Sequence, residues 1–112
     1  MKSQQSLRGY AFLTHQRDNF VCVYCGLDGK IWPKWLYLSW DHMLPKGDPK
    51  RDESEYIVTA CTFCNGLHNR TRFDVKGRTP KELVAQKKAK VLARRSEYKE
   101  FWEENVMGEG WR

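Results

Sequence analysis

The chain has 112 residues, about the length of one domain, which excludes a large multi-lobed enzyme. Hydrophobic residues make up 40% and the mean hydropathy is -0.78, so the apolar core is thin and something besides burial must help hold the fold. Twenty Lys plus Arg against fourteen Asp plus Glu leave a net charge of +6 and a pI near 9.3, which points to a polyanionic partner, nucleic acid first. No apolar stretch is long enough to span a bilayer, and the Met-Lys-Ser-Gln-Gln start lacks the apolar region of a signal peptide, so a cytoplasmic location is expected.

Residues 7–18 place Leu7, Tyr10, Ala11, Leu13 and Thr14 near helical spacing behind a Ser6 cap, predicting a first helix. His15 is expected on its surface. Trp35-Leu-Tyr-Leu-Ser-Trp40, bounded by Pro33 and Pro45, reads as a strand. Residues 46–55 are polar with a Gly and a Pro and read as a loop, and Tyr56-Ile-Val-Thr-Ala60 reads as a second strand. A short helix is expected to start just after Cys64. Thr79-Pro80-Lys81-Glu82 joins a Thr cap, Pro at the first helical position and Glu three residues after the cap, predicting a long helix over 80–105. On that helix Leu83, Val84, Val91, Tyr98, Phe101 and Trp102 share one arc, interrupted by Lys87 and Arg94, and read as a packing stripe. Residues 1–112 are taken as one domain.

The four cysteines form two pairs of identical spacing, Cys22-x-x-Cys25 and Cys61-x-x-Cys64. Two thiolates two residues apart grip one metal ion from a tight turn, and two such knuckles complete the tetrahedral sulfur shell that zinc prefers. A disulfide framework fits poorly with a chain expected in a reducing compartment. A closed zinc site adds folding free energy of roughly 10 kcal/mol in small domains, which explains how a thin core suffices. The knuckles are 35 residues apart in sequence, longer than in an ordinary zinc ribbon, so the insertion needs a purpose.

Inside that insertion sits Asp41-His42. Neighbours in an extended segment point to opposite faces, so one is free to hold a divalent cation while the other addresses a water molecule. Asn65 and Asn69 are i and i+4 on the expected helix, hence on one face, with Asn65 anchored by its neighbour Cys64. A mixed oxygen and amide site of this kind suits a hard cation such as Mg2+ or Mn2+, distinct from the all-sulfur zinc. Charge is concentrated later in the chain: residues 70–100 hold 11 basic and 4 acidic residues, against 8 and 7 over residues 1–69. Arg70, Arg72, Lys87, Lys88, Arg94 and Arg95 are therefore the candidate phosphate-binding residues.

The ordered set Arg17-Asp18-Asn-Phe20-x-Cys22-x-Tyr-Cys25-Gly26, Asp41-His42-Met-Leu-Pro45-Lys-Gly47 and Ile57-Val-Thr-Ala-Cys61-x-x-Cys64-Asn65 resembles the zinc-knuckle branch of the HNH endonucleases over about residues 17–70. The resemblance implies an α+β, zinc-stabilised ββα-metal domain flanked by an N-terminal helix and a long basic C-terminal helix. It implies a metal-dependent DNA endonuclease in which Asp41 is a metal ligand, His42 the general base and Asn65 the ligand from the helix, with Asn69 a second candidate ligand. His68, on the same helix, is an accessory candidate. The Asn that the family carries nine residues before the helix ligand falls on Tyr56 here, a departure in which Tyr56, Glu55 or a backbone carbonyl takes over the orientation of His42 or activity is weakened.

The alternative of another class is a non-catalytic zinc module that binds nucleic acid. Trp32, Trp35 and Trp40 are expected to pack in the small core rather than stack on bases. With one metal site per chain, a monomer is expected to nick one strand and a dimer to cut both.

Overall fold

The computed structural model describes residues 10–67 and 74–107. In chain order it has helix α1 (Tyr10–Arg17), strands β1 (Leu38–His42) and β2 (Ile57–Cys61), the single-turn helix α2 (Thr62–Gly66) and the long helix α3 (Pro80–Asn105). The result is a small α+β structure around one two-stranded antiparallel sheet.

Helix α1 stops where Asn19 and Phe20 both take left-handed backbone angles, φ 57° and 59°, and the amide of Phe20 returns to the carbonyl of His15 at 2.7 Å. The chain then enters the first knuckle, closed by a bridge between Val21 and Asp28. Gly26, at φ +81°, takes the turn beyond Cys25 that a residue with a Cβ would adopt only under strain.

The first strand begins later than the aromatic run suggests. Residues Lys34–Tyr37 form a 3-10 turn instead, and β1 spans Leu38–His42. Pairing decides this: Leu38 opposite Cys61 is one end of the ladder and His42 opposite Ile57 the other, so the partner available is only five residues long. Trp32 is 71% exposed, against the expectation that it packs, while Trp35 and Trp40 are half-buried.

Every residue of β2 is buried, because the sheet is covered on both faces. By strand alternation Val58 and Ala60 share one face with Ser39 and Asp41, and Thr59 lies on the other. The first face packs against Tyr24, the knuckle cysteines and Val91 of α3; the second meets α1, where His15 bonds Thr59. The outer edge of β2 is not open. The carboxylate of Asp18 accepts the amide of Thr59 at 2.8 Å, the Thr59 carbonyl accepts from the amide of Val23, and Arg17 donates to the carbonyl of Ile57 at 2.6 Å. Arg17 and Asp18 thus block further strand pairing at that edge.

Helix α3 starts as its sequence dictates. The hydroxyl of Thr79 accepts the amide of Glu82 at 3.2 Å, and the Glu82 carboxylate accepts the amide of Thr79 at 2.9 Å, with Pro80 in the first turn. Its buried residues all lie in the first three turns. Leu83, Lys87 and Val91 are buried, whereas Tyr98, Phe101 and Trp102, expected in the same packing stripe, are exposed. Twenty-six residues make a helix of about 39 Å.

Candidate functional site

The candidate metal centre is built from two pieces of local structure. Cys22 and Cys25 come from the first knuckle, where the amide of Gly26 folds back to the carbonyl of Cys22 at 2.9 Å. Cys61 ends β2 and caps α2, its sulfur accepting the amide of Cys64 at 3.4 Å. The expected helix therefore begins three residues earlier than its sequence position after Cys64 suggests, because the second knuckle itself forms its first turn.

The four ligand sulfurs all lie within 4.8 Å of one another, and among the described residues no other group of three or more His, Cys, Asp or Glu side chains gathers in this way. Hydrogen bonds from Cys25, then Cys61 and Cys64, pull the Cys22 thiol far below its ordinary range. The same proximity, to Cys22 first and then Cys25, pushes Cys61 and Cys64 far above it. Four thiolates this close cannot all carry charge without a cation between them, so the donor set fits one metal ion. Arg95 on α3 donates to Cys64 Sγ at 3.8 Å and stacks over Phe63 at 5.2 Å, adding a positive charge beside the sulfur cluster. Arg95, expected to contact phosphate, is half-buried with its guanidinium against Cys64 and Phe63.

Asp41 and His42 occupy opposite faces of β1, as alternation requires. Asp41 is 4% exposed, and its Oδ2 accepts from Tyr24 Oη at 2.5 Å and from Lys87 Nζ at 2.8 Å. Burial, followed by the field of Asp41 and the hydrogen bond to it, pushes the Tyr24 hydroxyl well above its usual range, so it stays a donor. Lys87, expected to contact phosphate, is 7% exposed and lies 5.2 Å from the Tyr24 ring centre. The sequence places Lys87 on the packing stripe, and an ammonium there needs a buried partner, which Asp41 supplies.

His42 is half-buried, with Nε2 3.5 Å from Asp52 Oδ1 and the ring edge-on to Trp40 at 5.9 Å. Burial first, then Arg51, lowers its pKa from the ordinary imidazole range against the opposing pull of Asp52 and Asp41, which favours the neutral ring. The chain leaving His42 is tied at its next residue. The amide of Met43 donates to the carbonyl of Tyr56 at 2.9 Å, so Tyr56 contributes a backbone acceptor there.

Asn65 is held against β1. Its Nδ2 donates to the carbonyl of Trp40 at 2.7 Å and to Ser39 Oγ at 3.0 Å, which fixes the amide beside the strand that carries Asp41 and His42. Helix α2 ends at Gly66 and Leu67 is extended, with φ -69° and ψ 139°, and the expected pairing of Asn65 with Asn69 falls outside the described residues. Asn69, His68, Arg70 and Arg72 lie outside the described residues. Of the remaining basic candidates, Lys88 is exposed and Arg94 is exposed with Glu97 3.2 Å away.

A second, hard-cation site does not fit the described side chains as they stand. The one carboxylate in place for it is buried and already engaged by an ammonium and a phenol, and His42 faces the other side of the strand. No helix among the described residues is long and apolar enough to cross a membrane. Sequence reasoning missed Tyr24, Lys87 as a core residue, and His15; only the interruption of the α3 stripe by a lysine signalled any of them. Compared with family models, with curated proteins and with solved structures, the chain finds no match.

Proposed function

We propose that the protein is a DNA endonuclease of the HNH type, built on a structural zinc held by Cys22, Cys25, Cys61 and Cys64. The observation that carries the reading is the placement of His42 at the end of β1, next to the Met43 to Tyr56 backbone bond, with Asn65 clamped to the same strand from the helix that follows β2. The β1, β2, α2 order, with the second cysteine knuckle at the junction of β2 and α2, supports it as well. In this reading His42 takes a proton from water as the water oxygen bonds to phosphorus, the bond from phosphorus to the 3′ oxygen breaks, and that oxygen takes a proton from solvent, giving 5′-phosphate and 3′-hydroxyl ends. Zinc is preferred for the sulfur site because four thiolates make a soft, tetrahedral, closed shell.

The second reading is a non-catalytic zinc module that binds nucleic acid, and the buried pairing of Asp41 with Lys87 favours it. Both readings place the exposed basic residues of α3, Lys88 among them, against phosphate.

The test is conversion of supercoiled plasmid by the zinc-loaded protein without added metal, with Mg2+ and with Mn2+, beside its His42→Ala variant. Cleavage that falls ~100-fold or more in the variant, with fold and zinc retained, is expected of a general base. A gel shift without cleavage under any condition selects the binding module, and undiminished cleavage by the variant removes His42 from the chemistry.

A further inference from the structure

Helix α3 carries its apolar stripe beyond its buried turns. At about 100° per residue, Tyr98, Phe101 and Trp102 fall on the same line along the helix as Leu83, Lys87 and Val91. Leu83, Lys87 and Val91 are buried, whereas Tyr98, Phe101 and Trp102 are 49%, 63% and 44% exposed. We infer that this open face, with Phe63 of α2 beside it, is a stacking surface for the unpaired bases of a single nucleic-acid strand, with Arg94 and Lys99 at hand for its phosphates. The inference rests on the nucleic-acid partner common to both readings above and adds the class of strand, one with exposed bases.

Three observations carry it. The rings are grouped: Phe63 meets Tyr98 edge to face at 5.5 Å, and Arg94 lies 5.7 Å from the Tyr98 ring centre. An open groove of about 590 Å³ lies between the two helices, lined by Phe63, Leu92, Arg95, Ser96, Tyr98 and Lys99. Phe101 and Trp102 have no ring contact among the described residues, so their faces are free to stack.

Charge is also sorted by face. On the helical wheel Arg94 falls among the aromatic positions, and Arg95 and Lys99 lie just beyond Trp102. Glu100, Glu103 and Glu104 fall on the far side of the helix, and Glu97 lies at the border, 3.2 Å from Arg94. The aromatic face is therefore the basic face.

This combination selects the occupant. A duplex keeps its bases inside and turns phosphate outward, which leaves exposed rings without a partner. An unpaired strand offers a π-face and a phosphate at each step. A second copy docked about a two-fold axis would lay the face on itself, cation against cation, with the glutamates turned away.

The experiment is fluorescence anisotropy of zinc-loaded full-length protein, without Mg2+ or Mn2+, on labelled oligothymidylate and on a blunt duplex of equal length. Phe101→Ala and Trp102→Ala are each expected to weaken binding of the single strand about fivefold or more and to leave the duplex within about twofold. Lys99→Ala is expected to flatten the salt slope on the single strand by about 0.7, and Trp102→Ala to leave that slope unchanged. Equal losses on both nucleic acids, or no loss on the single strand, overturn the inference. A wild-type dimer that Trp102→Ala dissociates gives the face to a second copy and overturns it, as does binding to anionic vesicles without binding to oligothymidylate. Photocrosslinking of the wild type to a bromouracil-substituted single strand, read by mass spectrometry, needs no variant. Crosslinks at Tyr98, Phe101 or Trp102 are expected, and crosslinks confined to other residues overturn the inference. Plasmid cleavage with no single-strand effect of these variants rejects the stacking surface and leaves the nuclease standing; single-strand binding that the variants weaken, without cleavage, does the reverse.

Discussion

His15 on α1 and Thr59 on β2, 44 positions apart, share a buried hydrogen bond of 2.7 Å between Nδ1 and Oγ1. His15 is 1% exposed, against the surface position expected for it, and its other ring nitrogen has no partner among the described residues. The bond fastens α1 to the sheet face opposite the metal centre.

That placement sets a pH dependence. Burial lowers the His15 pKa below 6.5, outweighing the upward pull of Asp18, and His42 is lowered as well. A histidine held neutral in the fold takes up its proton first when unfolded, so the contribution is intact above about pH 6.5 and is lost as pH falls below it. Chemical denaturation of the wild type from pH 7.5 to 5 should show falling stability, with a shallower fall in His15→Asn. Equal slopes for the two proteins would take His15 out of the account. Thr59→Val, which leaves the imidazole unpaired, should cost about 1–2 kcal/mol at pH 7.

Removing the metal should unfold the domain. The core cluster is built on Cys22, Cys61 and Cys64 with Tyr24, Val58, Ala60 and Val91, so the sulfurs are part of the core rather than an appendage. A strong chelator is expected to abolish the cooperative melting transition, and Cys22→Ser to prevent stoichiometric zinc uptake. Cobalt substitution should give the intense thiolate absorption of a four-sulfur tetrahedral site. A chelated protein that melts as before would show that the fold stands without metal.

Asn65 is predicted to matter for stability before any chemistry. Asn65→Asp replaces the donor that holds the Trp40 carbonyl and Ser39 hydroxyl by a carboxylate oxygen, leaving acceptors facing acceptors, and should cost about 1–3 kcal/mol. The change is measurable by urea denaturation with zinc present. A variant as stable as wild type would mean that the amide does not fasten α2 to β1.

The α3 cap offers a perturbation of the turns that carry Lys87. Thr79→Ala removes the side-chain acceptor of the Glu82 amide and should cost about 1 kcal/mol. Because the first turns of α3 hold Leu83 and Lys87 in place, the variant should also raise the acetylation rate of Lys87 relative to Lys88. A change in stability with Lys87 still fully protected would separate the cap from the seating of the lysine.

For DNA binding, the slope of log affinity against log salt should become shallower by about 1 for each phosphate that the protein no longer neutralises. Lys88→Ala and Arg94→Ala are expected to flatten it and Lys87→Met is not, because Lys87 is buried on Asp41. Fluorescence anisotropy with a labelled duplex over a salt titration distinguishes them; an equal effect of all three substitutions would place Lys87 on the phosphate-binding face after all.

Local chemistry determines part of this molecule without help from the fold. Paired cysteines at knuckle spacing bring four sulfurs together, and Thr79, Pro80 and Glu82 start a helix whatever surrounds them, because the groups that satisfy one another lie within a turn of chain. The β-branched run before Cys61 makes a strand for the same kind of reason. Tertiary structure decides what such short reach cannot. Trp35 to Tyr37 has the composition of a strand, but the five-residue partner limits the ladder. His15 has the sequence context of a surface residue, and Thr59 covers it from 44 residues away. Lys87 reads as a phosphate contact by charge and as a breach of the stripe by position. Only the packing of α3 over β1, 46 residues apart in sequence, makes it the buried partner of Asp41, because the cost of enclosing an ammonium is offset only where the fold has also enclosed a carboxylate.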